Sequence, residues 1–200
     1  MARRHFEMAV ERYQPQDRMA HLINYGQDPK VVCLSRLANT LWFLGLPEQA
    51  QAARAAAIDW AEEIDHRFST AVALTFGVLL AVDMGDVPGV REWTARLVAE
   101  GQEWMNDNVA RGFQGYVAVL DGDVDRGFAE VRASVEHACH SPSAPGQHAM
   151  LLRVLLAACL AAGDRDAARD TADRMLAMSG PARLWAPIAH QVRGELARSG

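Results

Sequence analysis

The chain has 200 residues, 35 of them alanine, with 19 arginines, the single lysine Lys30 and a net charge of −5. This length allows one or two domains with a real core, the half-apolar composition excludes disorder, and the mild negative charge argues against binding nucleic acid through its phosphates. Three cysteines at unrelated spacings (Cys33, Cys139, Cys159) point to a reducing cytoplasm, no run approaches the ~20 apolar residues of a membrane span, and the N-terminus lacks a signal-peptide apolar core.

Alanine, leucine, arginine and glutamate are good helix formers, and no segment alternates as a strand would, so the fold class is all-α. Helices are predicted over 2–13, 29–44, 47–64, 68–84, 87–100, 103–120, 124–140, 146–162, 165–178 and 183–198. Asp28-Pro29 reads as an N-cap followed by proline at the first helical position. Pro47 and Pro88 sit where the next helix should begin, and Ser141–Gly146 is the one clear loop. Gly45, Gly85, Gly122 and Gly163 each follow an apolar run, as helix C-termini do, and lie 40, 37 and 41 residues apart. Five positions after each comes a small or modest residue: Ala50, Val90, Gly127 and Ala168. Self-similarity at this period marks a solenoid of helical hairpins. The glycine reverses the chain, and the small residue lets the second helix approach the first.

The pattern resembles the tetratricopeptide repeat, whose turn glycine stands at position 15 with alanines near 8, 20 and 27. Gly45 at 15 places Ala38, Ala50 and Ala57 at those positions. The resemblance implies a right-handed superhelix of antiparallel hairpins, at about 31–64, 71–104, 108–141 and 149–182, followed by a terminal helix over 183–198. The solenoid as a whole then covers 29–200. Ala2–Ala9 reads A-x-x-x-F-x-x-A, the second-helix signature of the same repeat. Residues 1–28 are therefore expected to be half of a truncated repeat plus a connecting turn, and the chain a slice of a longer solenoid. A bare second helix would expose apolar surface near Phe6 and Val10 and favour fraying or a homodimer.

No constellation of reactive side chains is complete. Asp121, Asp123 and Asp125 give D-x-D-x-D, but Arg126 and Arg132 occupy the positions where a calcium loop needs glycine and glutamate, so this reads as a solvated turn. Glu63–His66 is an E-x-x-H without the second copy that a di-metal bundle requires. His137, Cys139, His140 and His148 match no zinc spacing. Cys33 and Cys159 lie on apolar faces and read as small hydrophobes. Neither a nucleophile elbow nor a phosphate-binding glycine loop occurs. No enzyme activity, cofactor or metal is expected. The tryptophans Trp42, Trp60, Trp93, Trp104 and Trp185 read first as packing residues.

In tetratricopeptide solenoids the first helix of each hairpin lines a concave groove. The resemblance assigns that groove here to Ser35, Asn39, Trp42, Phe43, Thr75, Leu79, Tyr116 and Arg153. It lacks a cluster of basic residues to grip a peptide carboxylate, and suits an amphipathic helix or another part of the parent chain. A narrower resemblance lies over about 20–70. Tyr25-Gly26-Gln27-Asp28-Pro29-Lys30-Val31, Leu41-Trp42-Phe43-Leu44-Gly45-Leu46-Pro47-Glu48-Gln49-Ala50 and His66-Arg67-Phe68-Ser69 resemble the C-terminal repeats of large bacterial signalling ATPases. Those proteins carry a cyclase or DNA-binding domain and a P-loop module, whose motifs this chain lacks. The implied function is a non-catalytic, cytoplasmic regulatory scaffold that binds a protein or peptide segment. A helical-bundle enzyme or metalloprotein and a structural dimerisation segment stand as alternatives.

Overall fold

A computed structural model describes residues 1–100, 107–140, 145–178 and 180–198, with no strand among them. The expected loop residues 141–144 and Trp104 lie outside the described residues. The chain forms two compact units, Met1–Trp104 and Met105–Gly200, divided between the second and third expected hairpins. The first unit holds α1 (Ala2–Glu11), a 3-10 turn (Pro15–Asp17), α2 (Arg18–Tyr25), α3 (Pro29–Phe43), α4 (Pro47–Glu63), α5 (Arg67–Met84) and α6 (Val87–Ala99). The second holds α7 (Asp107–Leu120), α8 (Val124–Cys139), α9 (Pro145–Ala162), α10 (Arg165–Ala177), a 3-10 segment (Gly180–Trp185) and α11 (Ala186–Arg198).

One turn is built four times. Gly45, Gly85, Gly122 and Gly163 have φ of 73°, 68°, 91° and 71°, a left-handed conformation that a Cβ would strain. Each glycine N–H donates to the carbonyl three residues back: Trp42, Val82, Val119 and Leu160. The next residue's N–H donates to the carbonyl five back: Leu46 to Leu41, Asp86 to Ala81, Asp123 to Ala118 and Asp164 to Cys159, at 2.9–3.0 Å. This pair of bonds is the Schellman closure. The same four residues then serve as N-caps of the following helices. Asp86 and Asp164 do so with their carboxylates, which accept the N–H of Gly89 and Ala167 at 3.0 Å. One residue thus finishes one helix and starts the next, which holds the two helices together.

From α3 to α6 and from α7 to α11 consecutive helices pack on each other, and one pair of alternate helices in each of these runs also touches. α3 packs on α4, α4 on α5, α5 on α6, and α3 also on α5; α7 packs on α8, α8 on α9, α9 on α10, α10 on α11, and α7 also on α9. Ala50, Val90, Gly127 and Ala168 are all buried at the hairpin crossings. The α7–α8 pair is the tightest. A Cβ built on Gly127 would lie 2.6 Å from the Gly115 carbonyl oxygen, and one on Gly115 would lie 2.8 Å from the Gly127 oxygen. Two backbones meet there with no room for a methyl group.

Helix α5 has 18 residues with a mean hydropathy of 1.5, long and apolar enough to cross a membrane by length and composition. Its position accounts for that character, since it packs against α3, α4 and α6 and 72% of it is buried in the fold. Helix α1 packs on α3, and its Phe6 joins Trp42, Leu46 and Met84 around a cluster of Leu37, Ala38, Leu41, Ala50, Ala53 and Leu80. The apolar surface expected to lie bare near Phe6 is therefore used within the unit. The connector of residues 1–28 also contains a helix, α2, where only a turn was expected.

The two kinds of glycine should respond differently to a methyl group. Gly45→Ala meets open space and only the left-handed backbone cost, about 1–2 kcal/mol. Gly127→Ala must push two backbones apart and should cost about 3 kcal/mol. Urea unfolding of the two variants against wild type measures the difference.

Candidate functional site

A cluster of polar contacts gathers around Asp28 at the start of α3. Asp28 caps α3 and is wholly buried. A buried carboxylate is tolerated only when its oxygens are filled, and here they are. Oδ1 accepts the backbone N–H of Lys30 at 2.9 Å and of Val31 at 3.2 Å, and the Trp60 indole N–H at 3.2 Å. Oδ2 accepts the Tyr13 hydroxyl at 2.5 Å. The Asp28 backbone N–H donates to Ser69 Oγ at 2.9 Å. Ser69 Oγ lies 2.9 Å from His66 Nδ1, which also accepts the Ser69 backbone N–H at 3.3 Å. Nδ1 is thereby placed to accept from the start of α5, as a helix N-cap does. The carboxylate thus ties together the segment after α1, the start of α3 and the α4 face bearing Trp60, and the Asp28 backbone N–H adds the start of α5.

Aromatic rings extend this clasp outward. Trp60 meets Tyr13 edge-on at 5.8 Å, Tyr13 meets His21 at 6.0 Å, and His21 meets Tyr25 at 6.1 Å. The Lys30 ammonium stands 3.6 Å from the Trp60 ring centroid, a close cation–π contact. Burial, and then the Asp28 carboxylate, push the Tyr13 phenol well above its usual value of 10.0. At the outer end of the rings is a cavity of about 420 Å³ lined by His21, Tyr25, Gln27, Pro29, Val32 and Cys33. Burial, and then Asp28, also raise the Cys33 thiol. The thiol stays protonated and poorly nucleophilic.

The residues assigned to a groove are distributed unevenly. Ser35, Asn39, Thr75, Leu79, Tyr116 and Arg153 are buried, and only Trp42 and Phe43 are half-buried. The direct packing of α3 on α5 and of α7 on α9 leaves little open surface on these faces. Ser35 returns its hydroxyl to the Val31 carbonyl at 2.8 Å. Burial raises the Tyr116 phenol and Arg153 opposes that shift. Both amide atoms of Asn39, and the Thr75 hydroxyl, have no hydrogen-bond partner.

The remaining candidates take structural places. His66 of the E-x-x-H caps α5. Asp123 pairs with Arg126 at 2.6 Å in the α7–α8 turn. His140 reaches back to the Glu136 carbonyl at 2.9 Å. Burial, and then Arg174, lower His148. Among the described residues no three His, Cys, Asp or Glu side chains converge as metal ligands would. Cys159 is buried and Cys139 exposed. Trp185 is buried, and Trp93 lies beneath the Arg54 and Arg96 guanidinium groups.

The sequence showed the Asp28 cap but not the clasp. Tyr13 and Trp60 stand 15 and 32 residues away, and no local pattern announces that they share a carboxylate. No protein-family model, curated protein or solved structure matches the chain.

Two substitutions at Asp28 separate cap from clasp. Asp28→Ala strands two backbone donors, an indole N–H and a phenol, and should cost at least about 3 kcal/mol. Asp28→Asn keeps one acceptor oxygen and should cost about half as much. Tyr13 adds a pH signature. Its phenol is raised in the folded state, so its contribution is complete below pH 10 and is lost as pH climbs toward the folded value. Wild type should lose stability more steeply than Tyr13→Phe above pH 10 in denaturant titrations. At Asn39 the sign reverses. Replacing an unpartnered buried amide with Leu removes a desolvation cost and improves helix propensity, so Asn39→Leu should raise Tm by a few degrees, about 1 kcal/mol. Calorimetry reads this directly.

Proposed function

We propose that the chain is a non-catalytic interaction scaffold of the tetratricopeptide type, its hairpins forming a right-handed solenoid that holds a protein or peptide segment. The observation that carries this reading is the four-fold repetition of one turn. The glycine conformation, the two closing hydrogen bonds and the fused N-cap recur at Gly45, Gly85, Gly122 and Gly163. In each unit the hairpins dock on their neighbours through both consecutive and alternate helices. A fold made of stacked repeats offers extended surface rather than a single enclosed centre. The strings at Tyr25–Val31 and Leu41–Ala50 support a regulatory role of the kind that such repeats have in bacterial signalling ATPases.

The most accessible stretch of the assigned groove is the end of α3, where half-buried Trp42 and Phe43 run into exposed Leu44. Large apolar side chains in such positions anchor partners. A peptide library selected on the purified chain should yield ligands with saturable binding. Combined Trp42→Ala and Phe43→Ala should weaken them at least about tenfold, while Glu48→Ala on the exposed start of α4 should leave them unchanged. Failure to enrich any ligand, or binding indifferent to the α3 substitutions, would refute the reading.

A further inference from the structure

The cavity of about 420 Å³ between α2 and α3 lies within the size range of small-molecule sites. Its walls are His21 and Tyr25 from α2, Gln27 from the turn, and Pro29, Val32 and Cys33 from α3. None of the six is a carboxylate, a lysine or an arginine. The wall therefore offers an anionic ligand no counter-ion. His21 and Tyr25 stand one turn apart on the same face of α2. Their rings are 6.1 Å apart and tilted by 39°, so they form an open aromatic corner.

The surroundings select the sign of a ligand's charge. Asp28 stands in the chain between two wall residues, Gln27 and Pro29, and is wholly buried. Its hydrogen-bond donors are two backbone amides, an indole and a phenol, all of them neutral, so its negative charge is not cancelled. After burial, that charge is what raises the Cys33 thiol, so it is felt at the cavity wall. Arg18 acts on Tyr13 but not on Cys33. Lys30, the chain's one lysine, lies over the Trp60 ring rather than on the wall. The cavity thus has a negative charge beside it, no cation of its own, and two ring faces, which attract positive charge.

We propose that this cavity binds a small organic cation, its charged centre against the rings of Tyr25 and His21 and its alkyl groups on Pro29 and Val32. The site is separate from the α3 end assigned to a protein partner, and its failure would leave the scaffold reading untouched.

An NMR titration at fixed ionic strength tests this with choline and its carbon isostere, in which a quaternary carbon replaces the nitrogen. The two share a shape and differ in charge. Choline should bind saturably, with a Kd on the order of a millimolar, at least about fivefold tighter than the isostere. Tyr25→Leu should bring choline down to the isostere's affinity and leave the isostere unchanged. Cys33→Leu, which fills the cavity, should abolish binding of both. Ile23→Ala, two residues from both rings and so on the opposite face of α2, should change neither. Equal binding of choline and isostere would overturn the proposal and leave an apolar hole without charge selectivity. So would tighter binding of a tert-butyl carboxylate of the same size, choline binding indifferent to Tyr25→Leu or to Cys33→Leu, or no saturable binding.

Discussion

The hairpins of both units depend on one backbone constraint, a glycine held in the left-handed region between two helices. A positive φ lets the chain turn back within a single residue. The two hydrogen bonds it permits satisfy carbonyls that would otherwise end the helix unpaired. Because the following residue is already the next N-cap, the hairpin has no slack. The relative position of its helices is set at the turn, before any side chain packs. The residue five positions after the glycine is then buried, and no larger than valine, because the second helix crosses the first at that point. Gly127 opposite Gly115 is the extreme case, with backbone against backbone. Side-chain size at the crossing is thus a consequence of turn geometry.

The other two helix junctions described in the first unit are built differently. Between α4 and α5 the left-handed position falls to Asp65, with φ of 49°, and His66 replaces the aspartate cap. Between α2 and α3 the reversal belongs to Gly26, and Asp28 caps. Here the carboxylate does more than cap. It collects Tyr13 and Trp60, while its backbone N–H reaches Ser69. The N-terminal segment is fastened through these polar contacts and Phe6, whereas each later hairpin is fastened through its own backbone.

That contrast explains what the sequence disclosed and what it concealed. The four turns were legible because each is written in consecutive residues and repeated at a near-constant period. Helix starts at Pro29 and Pro47 were legible for the same local reason. Helix α2 was not, because its eight residues lie between Pro15 and Gly26, too few to display a helical period. The burial of Ser35, Asn39, Thr75, Leu79, Tyr116 and Arg153 was not legible either. It depends on α3 packing on α5 and α7 on α9, and positions in a repeat do not state how closely neighbouring repeats approach. The clasp joins residues up to 41 positions apart, and no window of sequence contains it.

The two modes of fastening also divide the molecule chemically. A Schellman turn consists of backbone amides and carbonyls, which do not titrate, so its strength is indifferent to pH and lost only when the helices themselves unfold. The clasp, by contrast, includes the Tyr13 phenol, whose ionisation is pushed up by burial and by Asp28. Deprotonating Tyr13 places a phenolate against the Asp28 carboxylate, two negative charges where a hydrogen bond stood, and the desolvated site magnifies the repulsion. The contact between the segment after α1 and the start of α3 is therefore sensitive to alkaline pH. Because that segment also carries Met19, Ile23 and Tyr25, 61%, 78% and 65% exposed, the Tyr13–Asp28 contact lies beside one of the more exposed apolar stretches among the described residues.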